Sequence, residues 1–237
     1  MEGIEDRVLM DILSRAVGPE RAPIAFDALS QAPSISVRYN PFKLSSDKKG
    51  SVVPWNKYGV MLSERPRFVM DPLFHAGCYY VQDSSAMVVG HIFREHLDDF
   101  EGLGRPVRVL DLCAAPGGKT TDLAASLRER FGDGFQLVAN EVMRNRASVL
   151  ADNVAIWGDP NVIVTSCDPK AFSKLEGFFD VLVVDAPCSG EGMFRKDPKA
   201  VEDWSLEAVE LCAARQKRIL ADAWPSLRQN GLLIYST

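Results

Sequence analysis

Cysteine is scarce and scattered: five thiols in 237 residues, odd in number and without C-x-x-C spacing. That excludes a disulfide framework and a cysteine-ligated zinc site. Histidine is scarcer still, and His75, His91 and His96 form no metal-ligand pattern, so no metal is expected. No apolar run is long enough to span a membrane, and no signal-peptide core is visible. A soluble, cytoplasmic protein with no membrane partner is therefore expected. Internal repeats and low-complexity tracts are missing too. So are two nucleotide signatures. The run from Cys113 to Thr120 has cysteine where a phosphate-cradling G-x-x-x-x-G-K-[ST] loop needs its first glycine, and the fingerprint G-x-G-x-x-G does not occur. Net positive charge is also lacking, at −5 overall.

What is present is a pair of strand-end segments. The apolar run Val181-Leu182-Val183-Val184 reads as a buried parallel strand. It leads into Asp185-Ala186-Pro187-Cys188-Ser189-Gly190-Glu191-Gly192, which sets a carboxylate beside a thiol where open α/β sheets bind ligands. Upstream, residues 107–112 read as a second strand, followed by Cys113-Ala114-Ala115-Pro116-Gly117-Gly118-Lys119 and a helix with Leu123, Leu127 and Phe131 on one stripe. Small residues and glycines let a ligand approach the backbone, and the free N–H groups of a helix start attract a carboxylate. With phosphate and dinucleotide ligands set aside, a nucleoside carrying a carboxylate remains, and S-adenosyl-L-methionine fits. Residues 136–141 form a further strand ending in Glu141, suited to a ribose diol, and 161–166 another, with Asp168 placed to accept from an adenine amine. Alternating strands and helices give a doubly wound, mostly parallel α/β sheet.

These residues carry a family resemblance. Asp111-Leu112-Cys113-Ala114-Ala115-Pro116-Gly117-Gly118-Lys119-Thr120 and Asp185-Ala186-Pro187-Cys188-Ser189-Gly190-Glu191-Gly192 resemble the two signature segments of the Sun family of RNA cytosine-carbon-5 methyltransferases. Arg38-Tyr39-Asn40, residues 80–85, Arg195-Lys196-Asp197-Pro198 and residues 215–220 agree with it. The stretch from Phe194 to Trp204 is most similar to the F type of bacterial small-subunit rRNA methyltransferase. The resemblance implies a Rossmann-like methyltransferase sheet and an S-adenosylmethionine site made by Cys113, Ala114, Ala115, Pro116, Gly117, Gly118, Lys119, Glu141, Asp168 and Asp185. It implies catalytic roles for Asp185, holding the base, for Cys188, releasing the product, and for Lys119 beside them. It also places the attacking cysteine directly after Thr237, where this sequence stops. Hence a truncated chain is expected, lacking its nucleophile and final strands, inactive as given, and prone to self-associate through the exposed sheet edge.

RNA is the expected partner, rRNA first and tRNA second. Between Arg38 and Arg67 the basic residues Arg38, Lys43, Lys48, Lys49, Lys57, Arg65 and Arg67 face only Asp47 and Glu64. Trp55 and Tyr58 are interleaved as stacking faces. Arg195 and Lys196 add a second basic site near Cys188 in sequence. The chain divides, on this reading, into a small α+β RNA-binding domain, 1–72, and a methyltransferase domain, 73–237. A helical pair is expected over 4–30, and a last helix from about Ser205 to Leu227, ended by Asn230-Gly231. Two other functions remain open: a DNA-type cytosine methyltransferase in which Cys188 itself attacks, and a noncatalytic binder of S-adenosylmethionine or RNA.

Overall fold

Four consecutive apolar residues, Val181 to Val184, are all fully buried, as a strand covered on both faces must be. They lie in the middle of a sheet that a computed structural model of the chain, describing residues 4–43 and 50–237, shows to be parallel throughout. Helices α1 (Ile4–Val17) and α2 (Ala22–Leu29) come first, followed by strands β1 (Ile35–Tyr39), β2 (Ser51–Val53) and β3 (Asn56–Leu62). A short helix α3 (Pro72–His75), strand β4 (Tyr79–Val81) and helix α4 (Val88–Glu95) precede the parallel sheet. That sheet then alternates as β5 (Val107–Asp111), α5 (Gly118–Phe131), β6 (Phe135–Asn140), α6 (Arg144–Trp157), β7 (Val162–Thr165) and β8 (Phe179–Asp185). Helices α7 (Pro198–Glu202) and α8 (Leu206–Ala223) lead to β9 (Leu227–Ser236). The expected doubly wound α/β fold is present, with strand order β7-β6-β5-β8-β9. Its order reverses beside β5, the switch point outside which such sheets bind ligands.

The chain falls into two compact units, 1–33 with 188–215, and 34–187 with 216–237. The larger unit holds both sheets. The smaller sheet is antiparallel, in the order β2-β3-β1-β4, with Val37, Val60, Phe68 and Tyr79 at its core. Because β4 pairs with β1, the expected division at 72/73 cuts through this sheet and is corrected. Strand β1 is buried on both faces, so its alternate residue Arg38 points into protein rather than solvent. Lys48, Lys49 and Asp47 of the expected basic stretch lie outside the described residues.

The end of the chain also departs from expectation. Helix α8 stops at Ala223, a 3-10 turn at Trp224–Ser226 accommodates Pro225, and β9 begins already at Leu227. Asn230-Gly231 is a bulge inside that strand, not a helix terminator. Between the pairs Phe179↔Leu227 and Val181↔Leu232, β8 advances two residues while β9 advances five. Asn230 takes φ 60°, a left-handed value that asparagine tolerates, and a Cβ on Gly231 would lie 2.9 Å from the Asp180 carbonyl oxygen. Helix propensity lost here to the free edge of β8, which needed a partner.

Beside this bulge the fully buried carboxylate of Asp180 anchors β8. Arg105 donates to both its oxygens at 2.8 Å, the Arg108 amide donates at 2.9 Å, and the Arg228 guanidinium lies 2.6 Å away. Burial alone would raise this carboxyl, but those hydrogen bonds and charges hold it below the usual carboxylate range. Its contribution to stability is therefore complete above the unfolded value of about 3.9 and is lost as pH falls through the lower folded value. Asp180→Asn should cost about 2–3 kcal/mol at neutral pH, discounted for the partly exposed arginines. Chemical denaturation of both forms from pH 7 to pH 3 should show the difference shrinking in acid; a constant difference would detach Asp180 from the acid response.

Candidate active site

Strand β5 ends at Asp111, and the chain must then turn sharply to start α5. Gly117 makes that possible with φ 109°, a conformation that an L side chain rarely adopts, and a Cβ there would sit 3.2 Å from Leu150 Cδ1. No side chain caps the start of α5, and uncapped amides at a helix start can hold an anion. Ala114 and Ala115 are buried against Ala139, Leu150 and Val154, which fixes the turn on the sheet. Behind it, Thr120 Oγ1 donates to Asp111 Oδ2 at 2.6 Å, while Asp111 Oδ1 is buried with no hydrogen-bond partner. Burial raises the Asp111 carboxyl to about 6.

The turn brings Lys119 against the end of β8. Its Nζ donates to Asp185 Oδ2 at 2.6 Å, and Ser236 Oγ, from the end of β9, donates to Asp185 Oδ1 at 2.8 Å. Asp185 is thus held through both oxygens while its side chain stays about one-third exposed, at 35%. At the end of β6 Glu141 is almost fully buried. Its Oε1 accepts from the Met143 amide at 3.0 Å; its Oε2 lies 3.0 Å from Arg146 Nη1 but makes no hydrogen bond of good geometry. A buried acceptor left open beside an uncapped helix start fits a ligand with hydroxyls to donate. Asp168 is exposed and caps the 3-10 turn at Pro169–Lys174 by accepting from the Lys170 amide at 2.9 Å. That cap leaves its second oxygen, Oδ2, outside the bond.

Several expected residues do other work. Arg38, expected to contact RNA, has no exposed surface, and this expectation is corrected. Its guanidinium donates to Gln82 Oε1 at 2.8 Å, to Thr121 Oγ1 at 2.5 Å and to the Gly118 carbonyl at 3.1 Å, and stacks 4.6 Å from the Trp157 ring centroid. Lys43 donates to the carbonyls of Ala76 and Ile156 at 2.9 and 2.7 Å, closing the last turn of α6. Lys57 pairs with Glu129 at 2.6 Å, and Trp55 donates its indole N–H to the Ser84 carbonyl at 2.7 Å. Arg65 and Arg67 are exposed.

In the smaller unit, Arg195 donates to the carbonyls of Gln31 and Ala32 at 3.2 and 2.6 Å, and Lys196 is exposed. Cys188, also in this unit, is exposed, and Ser189 and Trp204 both donate to Glu191 Oε1, at 2.6 and 2.8 Å. Burial alone would raise the Glu191 carboxyl, but these bonds keep it below the usual range.

Asp111 and Thr120, at the two ends of the first signature segment, had no role assigned from sequence, and neither had Arg146 or Ser236. Arg146 also had a signal, being a cation five residues beyond an acid that ends a strand. Cys113 lines the turn, half-buried. Burial, then the charges of Asp111, Glu141 and Asp185, push its thiol up to about 12. At pH 8 a thiol with that value is about 0.01% thiolate. Brief iodoacetamide treatment at pH 8 should therefore label the exposed Cys167 and Cys188 and spare Cys113. Peptide mass spectrometry reads this directly, and early labelling of Cys113 would contradict the raised thiol.

Comparison with known proteins places this geometry. A model of the 16S rRNA methyltransferase RsmB/F family matches residues 105–237, and one for the N-terminal domain of 16S rRNA methyltransferase RsmF matches residues 14–84. The chain is 35% identical over 217 residues to the ribosomal RNA small subunit methyltransferase F of Pectobacterium atrosepticum, covering 85% of this chain and 43% of that one. The same named protein of an Enterobacter species is 35% identical over 231 residues, covering 90% and 46%. The chain thus spans somewhat less than half the length of these curated relatives. Among solved structures, a methyltransferase homolog from Pyrococcus horikoshii superposes with a TM-score of 0.72 at 26% identity, covering 92% of this chain and 68% of that one. NSun6 from Pyrococcus horikoshii, crystallised with SFG, gives a TM-score of 0.74 at 18% identity, covering 96% and 81%. Both share the parallel sheet described above, and with the family model matched from β5 to the end of β9, this chain belongs to the RsmB/F family of 16S rRNA methyltransferases.

Proposed function

We propose that this chain carries the S-adenosylmethionine-binding and base-binding part of an enzyme that methylates carbon 5 of a cytosine in ribosomal RNA. The observation that carries this reading is Asp185, held through one oxygen by Lys119 and through the other by Ser236 at the mouth of the glycine turn. Carbon 5 of cytosine is a poor nucleophile until a thiolate adds at carbon 6 and makes the ring enamine-like. Negative charge then develops at N3, and Asp185 meets it by donating to N3 a proton it has taken up, while its other oxygen accepts from the exocyclic amine, with Lys119 beside it. S-adenosylmethionine, when bound, supplies the electrophilic methyl group and leaves as a neutral thioether. Once carbon 5 has taken the methyl group it loses its proton, and the thiolate is expelled from carbon 6. Glu141 and Asp168 accept from the ribose hydroxyls and the adenine amine, and the start of α5 takes the carboxylate.

By the family resemblance the attacking thiol follows Thr237. Ser236 bonds Asp185, and Thr237 Oγ1 donates to the Ala186 carbonyl at 3.2 Å, which sets the tip of β9 beside the base-holding carboxylate. Cys188 serves product release. RNA contact falls to exposed cations, Arg65, Arg67 and Lys196 among them, through phosphates.

Two measurements test this reading. Calorimetry with S-adenosylhomocysteine should show binding to residues 1–237. Glu141→Ala should weaken it about tenfold or more, the cost of a charge-assisted hydrogen bond; unchanged affinity would remove Glu141 from the site. Labelled methyl transfer to 16S rRNA should require a chain continuing past Thr237 through the cysteine, and RNA binding should fall steeply with salt. Robust 5-methylcytosine from residues 1–237, lost on Cys188→Ala, would instead assign the attack to Cys188.

A further inference from the structure

Among the buried polar groups that the proposed chemistry leaves unused, Asn140 has every hydrogen-bonding capacity of its side chain filled. It is the last residue of β6, fully buried, one position before Glu141. Its Nδ2 donates to the Leu112 carbonyl at 3.2 Å and to the Cys167 carbonyl at 3.0 Å. Its Oδ1 accepts from Thr165 Oγ1 and from the Cys167 amide, both at 2.9 Å. The main chain adds to the same knot. Ala114 N donates to the Asn140 carbonyl at 2.8 Å, and Glu141 N donates to the Thr165 carbonyl at 3.1 Å.

Leu112 immediately precedes Cys113, and Cys167 immediately precedes Asp168. A single primary amide therefore ties together the ends of β5, β6 and β7 just before each strand delivers its candidate cofactor residue. We propose that Asn140 is a positioning residue that sets the spacing between the Cys113–Lys119 turn, Glu141 and Asp168, and so the affinity for S-adenosylmethionine. The proposal rests on the cofactor reading above and goes beyond it by assigning the geometry of the site to a residue that touches no ligand.

Only a primary amide meets the demand. Two carbonyls need donors while an amide and a hydroxyl need an acceptor, within one fully buried side chain. Asn140→Asp keeps the shape and the acceptor but sets a carboxylate oxygen against the Leu112 and Cys167 carbonyls. Those strand ends then separate, although the β6 core below them keeps its apolar packing of Leu137 and Ala139. Thr165→Val removes one acceptor contact and leaves the two carbonyls tied.

The test measures S-adenosylhomocysteine binding by calorimetry on the full chain, with urea denaturation of each form alongside. Asn140→Asp should weaken binding about tenfold or more, and Thr165→Val only about two- to fivefold. A core control, Leu137→Ala, should lose as much stability as Asn140→Asp while binding within about twofold of the parent. Iodoacetamide labelling gives a readout that needs no ligand: Cys113 should become reactive in Asn140→Asp and remain protected in Leu137→Ala. Near-parental affinity and a protected Cys113 in Asn140→Asp would overturn the positioning role. So would equal losses of affinity in Asn140→Asp and Leu137→Ala, which would make the effect one of stability alone. Absence of binding by the parent would instead sink the cofactor reading, and the labelling of Cys113 would then decide the role of Asn140 by itself.

Discussion

The buried ion cluster around Asp122 is the constraint on which the rest of the larger unit depends. Asp122 lies inside α5 with 2% of its side chain exposed; Arg94 donates to it at 3.0 Å, Asn56 at 3.1 Å, and the Arg38 guanidinium lies 3.8 Å away. These partners come from α4, β3 and β1, so one carboxylate gathers the small sheet and a helix onto α5. Space for it is made at Gly90, where a Cβ would meet Asp122 Oδ2 at 2.1 Å. Burial lowers the Arg38 guanidinium below its usual range and Asp122 opposes that shift. Such a pair is weak evidence for net stability, but removing one member costs about 3–5 kcal/mol, because the other charge is left uncompensated. The cluster therefore specifies an arrangement: the small sheet can dock only where its arginine meets that carboxylate.

This docking reaches the candidate active site directly. Arg38 also bonds the Gly118 carbonyl and Thr121, in the first turn of α5, the helix start proposed above to take the cofactor carboxylate. Tyr80, from β4, donates to the Pro116 carbonyl at 3.2 Å, and Asn153, from α6, donates to the same carbonyl at 2.8 Å. The turn between β5 and α5 is thus braced from the small sheet as well as from α6. Catalysis by positioned dipoles and charges depends on that kind of rigidity, since donors that move lose their advantage over water.

Much of this was legible in the sequence because strand ends and glycine turns obey local rules. Val181–Val184 announced a buried strand, Gly117 a turn that only glycine enters easily, and Lys119 and Asp185 a cation and an acid on neighbouring loops. Their union at 2.6 Å follows from β5 and β8 being adjacent, a tertiary fact. Arg38 and Lys43 were misread for the opposite reason. A basic residue in sequence carries no sign of whether its partner is a phosphate, a buried carboxylate 84 residues away as for Arg38, or a helix carbonyl 113 residues away as for Lys43. The β9 boundary failed similarly: Leu227 to Gly231 suit a helix end locally, and only pairing with β8 makes them strand and bulge. Asn140 gave no signal at all, since an asparagine at a strand end usually marks a turn.

The bulge in β9 has a consequence for how this fold can change length. It absorbs the extra residues between Leu227 and Leu232, and beyond it β9 runs in strict register with β8 until Ser236 stands opposite Asp185. Residues 228–231 therefore act as a slack segment, where an insertion or deletion is taken up before the register is set. Past Leu232 there is no slack: one residue gained or lost would turn each following side chain to the other face of the sheet and carry Ser236 away from Asp185. Related sequences should accordingly vary in length on the near side of Gly231 and keep constant spacing from there to the serine. Evolution can lengthen this strand only at its root, because its tip is aimed.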